Sequence, residues 1–209
     1  MVTFERTADS DMPGAEALGE SFVTALMDAI ECALIACEAD GTVVYLNRAA
    51  RREVGAGRAL RIAGGTLQVD DGGGELLRQA ISDAATRGIR RLLWVGTGAS
   101  RVMVATMPVD SRDAAAGRRM LVLLGRRSLC SPLGLEMLAL RHGLTIAEKR
   151  VLSALIDTRE PRQIACDHGV QLSTVRTQIQ AIRDKFGARN VDELLLRVAQ
   201  VPAVAASLA

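Results

Sequence analysis

From residue 143 to residue 201, helix starts and stops follow one another so closely that only a packed set of short helices fits. Thr145 and Glu148 in LTIAE have the spacing of a capping box, in which hydroxyl and carboxylate satisfy backbone N–H groups at a helix start. Val151, Leu152 and Leu155 then face a core. Pro161 suits the first turn of the next helix, where its missing N–H costs nothing. Ile164 and Ala165 supply that helix's inner face, and Gly169 allows a sharp exit. Asn190 and Glu193 repeat the capping-box spacing ahead of Leu194, Leu195 and Val198, which are predicted to supply packing or dimer contacts, just after Gly187 has ended the preceding helix.

Between these signals lies STVRTQIQAIRDKFG, residues 173–187. On a wheel at roughly 100° per residue with Arg176 at zero, Gln180 falls near 40°, Ser173 near 60° and Thr177 near 100°, while Val175, Ile179, Ile182 and Phe186 cluster between about −60° and −120°. One side is built to dock and the other is polar. An isolated amphipathic helix usually shows only a solvated face there. Here only Val170, Gln171 and at most Leu172 separate the helix from its predecessor, and so tight a turn holds it proud of the core as in a helix-turn-helix. The DNA major groove, about 12 Å wide, admits one such helix, and arginine and glutamine bond bidentately to guanine and adenine.

Ahead of residue 128 the pattern is different. Leu18, Phe22, Leu26 and Ile30 make a four-residue stripe on a predicted helix over 15–30, with one face to bury. CALIACEADGTVVYLN reads as a hairpin turning at Asp40 and Gly41, and Asn47 suits the N-cap of RAARREV. RALRIAGGTLQV is a second hairpin turning at Gly64 and Gly65. A helix over 75–87, stopped by Gly88, leads into three strands, RRLLWV, RVMVATMPV and RRMLVLLG. Antiparallel runs with helices between them predict an α+β unit with the helices on one side of a sheet. Ser131 and Pro132 then open a linker helix.

Several function classes drop out. DDGGGE lacks the GK[ST] ending of a phosphate loop, and GTGAS lies between strands rather than before a helix. His142 and His168 are the only histidines, and with scattered carboxylates they assemble no nucleophile, base and orienting group, so an enzyme is not expected. Cys32, Cys37, Cys130 and Cys166 show no CxxC spacing, so neither a metal site nor a local redox pair is expected. No apolar run spans a membrane and the N-terminus is unlike a signal peptide, so the expectation is a cytoplasmic protein. Residues 1–125 hold 14 Lys and Arg against 16 Asp and Glu, whereas residues 126–209 hold 12 against 8. That basic excess is small, so phosphate binding must come from placed residues.

GLTIAEKRVLSALI, QIA and STVRTQIQAIRDKFGARNVDELL, in that order over 143–201, resemble the DNA-binding domain of LuxR-type (GerE-type) bacterial transcription regulators. The resemblance implies base contacts from Arg176, Thr177 and Gln180, with Thr174, Arg183 and Lys185 on phosphates; Ser173 shares the polar face. The chain departs from the family pattern at His168, where leucine is usual, at Gln171, where serine or threonine caps the recognition helix, and at Thr158, commonly glycine. Residues 20–125 resemble a PAS sensor domain through DGTVVYLN running into NRAARREV, a helical middle and three closing strands. This implies a cavity between helices and sheet for a small-molecule effector or a signalling partner; Phe22, Tyr45 and Trp94 read as core residues rather than a ligand cage, and no cofactor is expected.

The expected organisation is a flexible N-terminus over 1–19, a PAS-like sensor over 20–127, a linker helix over 128–142 and a four-helix helix-turn-helix domain over 143–203. The expected function is that of a homodimeric, sequence-specific regulator binding two half-sites on double-stranded DNA. The stripe from Leu18 to Ile30 and the last helix are the expected dimer surfaces. A module whose helical part docks a protein instead of DNA is the alternative.

Overall fold

A computed structural model describes residues 19–55, 58–69, 73–109 and 118–203. The predicted flexible residues 1–18, most of DDGGG and the DSRDAAAG connection lie outside the described residues. The chain is α+β, a five-stranded antiparallel sheet with helices followed by an all-helical part, and each part has its own buried cluster.

The first part runs α1 (Glu20–Asp28), β1 (Ala33–Cys37), β2 (Val43–Leu46), α2 (Arg48–Glu53), β3 (Leu60–Ala63), β4 (Thr66–Val69), α3 (Gly74–Arg87), β5 (Arg91–Val95), β6 (Val102–Val109) and β7 (Arg119–Leu124). The main sheet has the order β2-β1-β7-β6-β5, so the first hairpin closes against the last strand. Asp40 accepts from the N–H (2.8 Å) and hydroxyl (2.9 Å) of Thr42, fixing that hairpin's turn. The β3–β4 hairpin forms a separate two-stranded sheet that docks on the same turn, with Val43 N–H donating to Gly65 O at 2.8 Å. Its turn residues Gly64 and Gly65 both have positive φ, 59° and 79°, as the tight turn matching strand twist requires.

Alternation along the strands sends Ile35, Val104, Met120 and Val122 inward against Leu77, Ile81 and Ala84 of α3 and Ala49 and Ala50 of α2. These side chains form one buried cluster between helices and sheet. Two sequence expectations change here. Phe22 and Trp94 are 49% and 50% exposed and lie outside the core, whereas Tyr45 is half-buried; Leu26 and Ile30 are exposed too, so the α1 stripe is left uncovered within the chain, and Leu18 lies outside the described residues. Trp94 alternates with the inward Leu93 and Val95, and its outer face carries the Arg101 guanidinium 4.7 Å from the ring centre.

Asn47 is wholly buried. Its Oδ1 accepts from Leu34 N–H (3.0 Å) and from Ala50 N–H (2.9 Å), the latter capping α2, while Nδ2 donates to the carbonyls of Met27 (3.0 Å), Ile30 (3.3 Å) and Cys32 (2.8 Å). One amide thereby ties the end of α1, the start of β1 and the start of α2 together.

The second part runs α4 (Pro132–His142), α5 (Ile146–Ile156), α6 (Pro161–His168), α7 (Leu172–Phe186) and α8 (Val191–Ala199). Val151, Leu152, Ile164, Val175, Ile182, Leu194 and Val198 are fully buried in its core, which commits Leu194 and Val198 to packing rather than to a dimer surface. Arg127 ties the connecting segment to the first part: Nε donates to Glu53 Oε2 (3.0 Å), and the two terminal nitrogens donate to the carbonyls of Ala99 (2.7 Å) and Ser100 (2.6 Å). Glu31 N–H donates to Ala203 O at 2.9 Å, a tie between the first part and the end of the second.

Thr158, after the end of α5, has φ 59°, a left-handed conformation that a β-branched side chain adopts only at a cost. Its N–H donates to Leu155 O and that of Arg159 to Ala154 O, both at 3.0 Å, so the helix end holds it there. Thr158→Gly is expected to raise stability by about 0.5–1 kcal/mol, the relieved strain being partly offset by glycine's greater freedom in the unfolded chain. A higher denaturation midpoint by far-ultraviolet circular dichroism checks this.

Candidate nucleic-acid interface

The site is built on α7. Gly169, with φ 66°, closes α6 in a left-handed cap, and α7 begins at Leu172, so residues 169–171 make the whole connection. Gln171 is the N-cap but makes no side-chain cap bond; its Oε1 instead accepts from Ser173 Oγ at 3.3 Å. Val175, Ile179, Ile182 and Phe186 are all buried. Ser173, Thr174, Arg176, Thr177 and Gln180 are exposed. The two faces read from the wheel are thus physically separate.

Along the exposed side the residues differ in how far they are committed. The Arg176 side chain makes no hydrogen bond or ion pair with any described residue, and the same holds of the Thr174 side chain. Thr177 Oγ1 donates back to Ser173 O at 3.1 Å, a bond within the helix. Gln180 is bracketed: its Nε2 donates to Asp184 Oδ1 (2.7 Å) and its Oε1 accepts from an Arg183 terminal nitrogen (3.0 Å). The other terminal nitrogen of Arg183 donates to Arg189 O, so this half-buried guanidinium also anchors the exit from α7.

Lys185 has a different position. Its Nζ donates to Gly143 O (2.9 Å) and to Glu148 Oε2 (2.6 Å), clamping the end of α7 to the start of α5. Glu148 is at the same time the N3 residue of the capping box, accepting from Thr145 N–H at 2.7 Å while Thr145 Oγ1 accepts from Glu148 N–H at 3.2 Å. Burial pushes the Glu148 pKa up, but the Lys185 ammonium and the Thr145 N–H and hydroxyl outweigh it and hold the carboxyl below its ordinary range.

The start of α8 corrects one expectation. Asn190 Oδ1 does accept from Glu193 N–H at 2.7 Å, but the Glu193 carboxylate does not close the box. Oε2 instead takes the N–H (2.9 Å) and Nε (3.0 Å) of Arg189, and Oε1 takes Arg197 at 2.9 Å. Two arginines within reach win over one backbone donor. The Arg189 N–H, followed by the two arginine side chains, draws the Glu193 pKa down to about 2. A depressed carboxyl contributes stability that is fully present above its unfolded value, about 4.3, and that is lost as pH falls toward the folded value. The helical part is therefore expected to lose stability, with a lower thermal midpoint, as pH falls from about 5 to about 2. Glu193→Gln should flatten that slope in a pH series of thermal midpoints; an unchanged slope would assign the acid sensitivity elsewhere.

His142 stacks on Phe186 with ring centres 3.9 Å apart, and its Nδ1 lies 3.1 Å from Lys185 O, which makes it part of the packing at the end of α7. His168 is half-buried. The four cysteines are free; Cys37 and Cys130 are buried, Cys32 is half-buried and Cys166 is exposed. Among the described residues no group of three His, Cys, Asp or Glu could hold a metal, and no helix is long and apolar enough to cross a membrane.

No protein-family model matches the chain, and no curated protein is significantly similar to it. Among solved structures, a Vibrio cholerae VqmA dimer, described with LuxR-type receptors, is similar over 87% of this chain and 87% of that one, at 17% identity and TM-score 0.37. A VqmA–ligand–DNA complex covers 92% of each chain at 18% identity and TM-score 0.36. The Rhodobacter sphaeroides LOV protein covers 84% of this chain and 92% of its own at 17% identity and TM-score 0.35. These are distant likenesses.

Proposed function

We propose that the chain is a sequence-specific DNA-binding transcription regulator whose sheet-containing part serves as a sensor and whose α7 enters the major groove. The observation that carries this reading is the division of α7: four buried apolar residues on one side, and Ser173, Thr174, Arg176, Thr177 and Gln180 exposed on the other, directly after a three-residue connection. The LuxR-type resemblance of residues 143–201 supports it.

In this reading Arg176, unpaired among the described residues, meets a base edge. Thr177 and Gln180 complete the base-facing set, Gln180 exchanging its Asp184 bond for a base. Ser173, Thr174 and Arg183 face the phosphates that position the helix. Lys185 holds α7 onto α5 through Glu148 instead of contacting DNA. A single helix offers few base contacts, so a homodimer on two half-sites supplies the affinity, with centres about 10–10.5 base pairs or a multiple apart. A small-molecule effector entering between helices and sheet of the sensor part would meet the buried side chains of Ile35, Leu77, Ile81, Met120 and Val122, and its binding would shift the population of the DNA-binding arrangement.

Selection of bound duplexes from a random pool by the full chain tests the reading. A symmetric pair of half-sites is the expected result; a folded chain that enriches nothing would leave the helical part as a protein-docking module.

A further inference from the structure

We infer that α4 is a self-pairing helix: its outer face, which takes no part in the proposed DNA contacts, is built to lie parallel to α4 of a second copy. This deepens the proposed homodimer by naming its surface, and it rests on the dimeric part of that reading only.

α4 has two faces. With Leu133 at zero and roughly 100° per residue, Gly134, Leu138, Leu135 and Ala139 fall between about 100° and 240°. These are the residues that turn inward, Gly134, Leu138 and Ala139 buried and Leu135 packed on the helical core. Gly134 is required for that approach, since a Cβ there would lie 2.8 Å from Cys130 Sγ and 3.2 Å from Val201 Cγ1. Leu133, Met137 and Leu140 fall on the opposite side, between about −20° and 40°. Met137 is 53% exposed and Leu140 84%, and Leu133 is half-buried.

Spacings of four and then three residues are those of a coiled-coil seam, which assigns Leu133 to d, Met137 to a and Leu140 to d. The charges beside the seam choose the partner. Glu136 then occupies g and Arg141 the following e, at about −60° and 80° on either side of the apolar row. In a parallel pair, g of one helix faces the e five residues later in the other, so Glu136 meets Arg141 of a second copy twice by symmetry. In an antiparallel pair g meets g and e meets e, which opposes glutamate to glutamate and arginine to arginine. The surface is therefore complementary to itself in the parallel sense. Arg141 makes no ion pair with a described residue, and Glu136, whose two oxygens accept from Lys149 Nζ at 2.8 and 3.0 Å, is exposed on its outer side, where a second cation can approach.

The geometry has a consequence for α7. A two-fold axis running along the α4 seam relates the two helical parts directly, which suits a symmetric pair of half-sites. The seam covers only two turns, so the association belongs among small, concentration-dependent interfaces.

Sedimentation velocity on the full chain without DNA tests this. The wild type is expected to show a concentration-dependent monomer–dimer equilibrium. Leu140→Asp, at an exposed position that leaves the circular dichroism spectrum unchanged, should raise the dimer Kd at least ~100-fold by placing two carboxylates in the seam. Glu136→Arg and Arg141→Glu should each weaken self-association about tenfold by opposing like charges. Mixed in equal amounts they should pair again, one chain carrying two arginines and the other two glutamates. A wild type that stays monomeric, a Leu140→Asp chain that dimerises as well as wild type, or a mixture no better than its components would overturn the assignment. Because DNA is absent, each of these results is distinct from failure of the DNA-binding reading, which is read from duplex binding by the same proteins.

Discussion

Replacing Asn47 by alanine is expected to destabilise the sheet-containing part by at least about 3 kcal/mol, a large fraction of the total for a domain of this size. The amide serves two N–H groups and three carbonyls while wholly buried. Alanine removes both acceptor bonds and the two N–H donors shared among the three carbonyls, with no replacement, and a buried polar group left without a partner costs roughly 1–3 kcal/mol. Asn47→Asp should be nearly as harmful, because a carboxylate restores the two acceptor bonds but faces three carbonyl oxygens where donors stood. Trp94 is the only tryptophan and lies in β5, so its fluorescence during denaturation reports this part of the chain separately from the helical part. A midpoint shift worth less than about 1 kcal/mol would show that water or local rearrangement satisfies these groups.

Arg176→Ala is expected to weaken specific DNA binding by about 1–3 kcal/mol, or roughly 5- to 150-fold in Kd per half-site. The side chain is exposed and unpaired among the described residues, so its removal leaves the fold alone. That separates it from Lys185, where a substitution would strand the buried Glu148 carboxylate and weaken binding through the fold. Non-specific binding should fall much less, with a salt slope reduced by at most about one counterion. Equal losses on specific and random duplexes, measured by anisotropy titration at several salt concentrations, would place Arg176 on a phosphate.

Much of the architecture was legible because the informative signals are local. The turns at Asp40–Gly41 and Gly64–Gly65, the caps at Asn47, Ser131 and Thr145 and the left-handed ends at Gly169 and Gly187 are all encoded within a few residues. Parity of a strand is local only when polar residues mark one face. RLLWV offers four successive apolar residues, so nothing in it shows that Trp94 turns outward. Long-range partnership was hidden for the same reason. The cap role of Asn47 is read from the residues after it, whereas its bonds to Met27, Ile30 and Cys32 come from 15 to 20 positions earlier. Likewise the wheel places Lys185 away from Arg176, but only folding brings it to Glu148, 37 residues before it. The exposed row on α4 could have been found from its four-three spacing, yet only burial shows that Leu138 and Ala139 leave that row free.

In the proposed complex α7 reads DNA sequence, and Arg176 is one of its reading residues. A paired selection tests this, in which wild type and Arg176→Ala are each offered the same random duplex pool and the enriched sequences are compared position by position. Symmetric half-sites are expected from both proteins, with preference lost at one base pair in each half-site for the variant and retained elsewhere. Identical preferences from the two proteins, or no enrichment by the folded wild type, would contradict it.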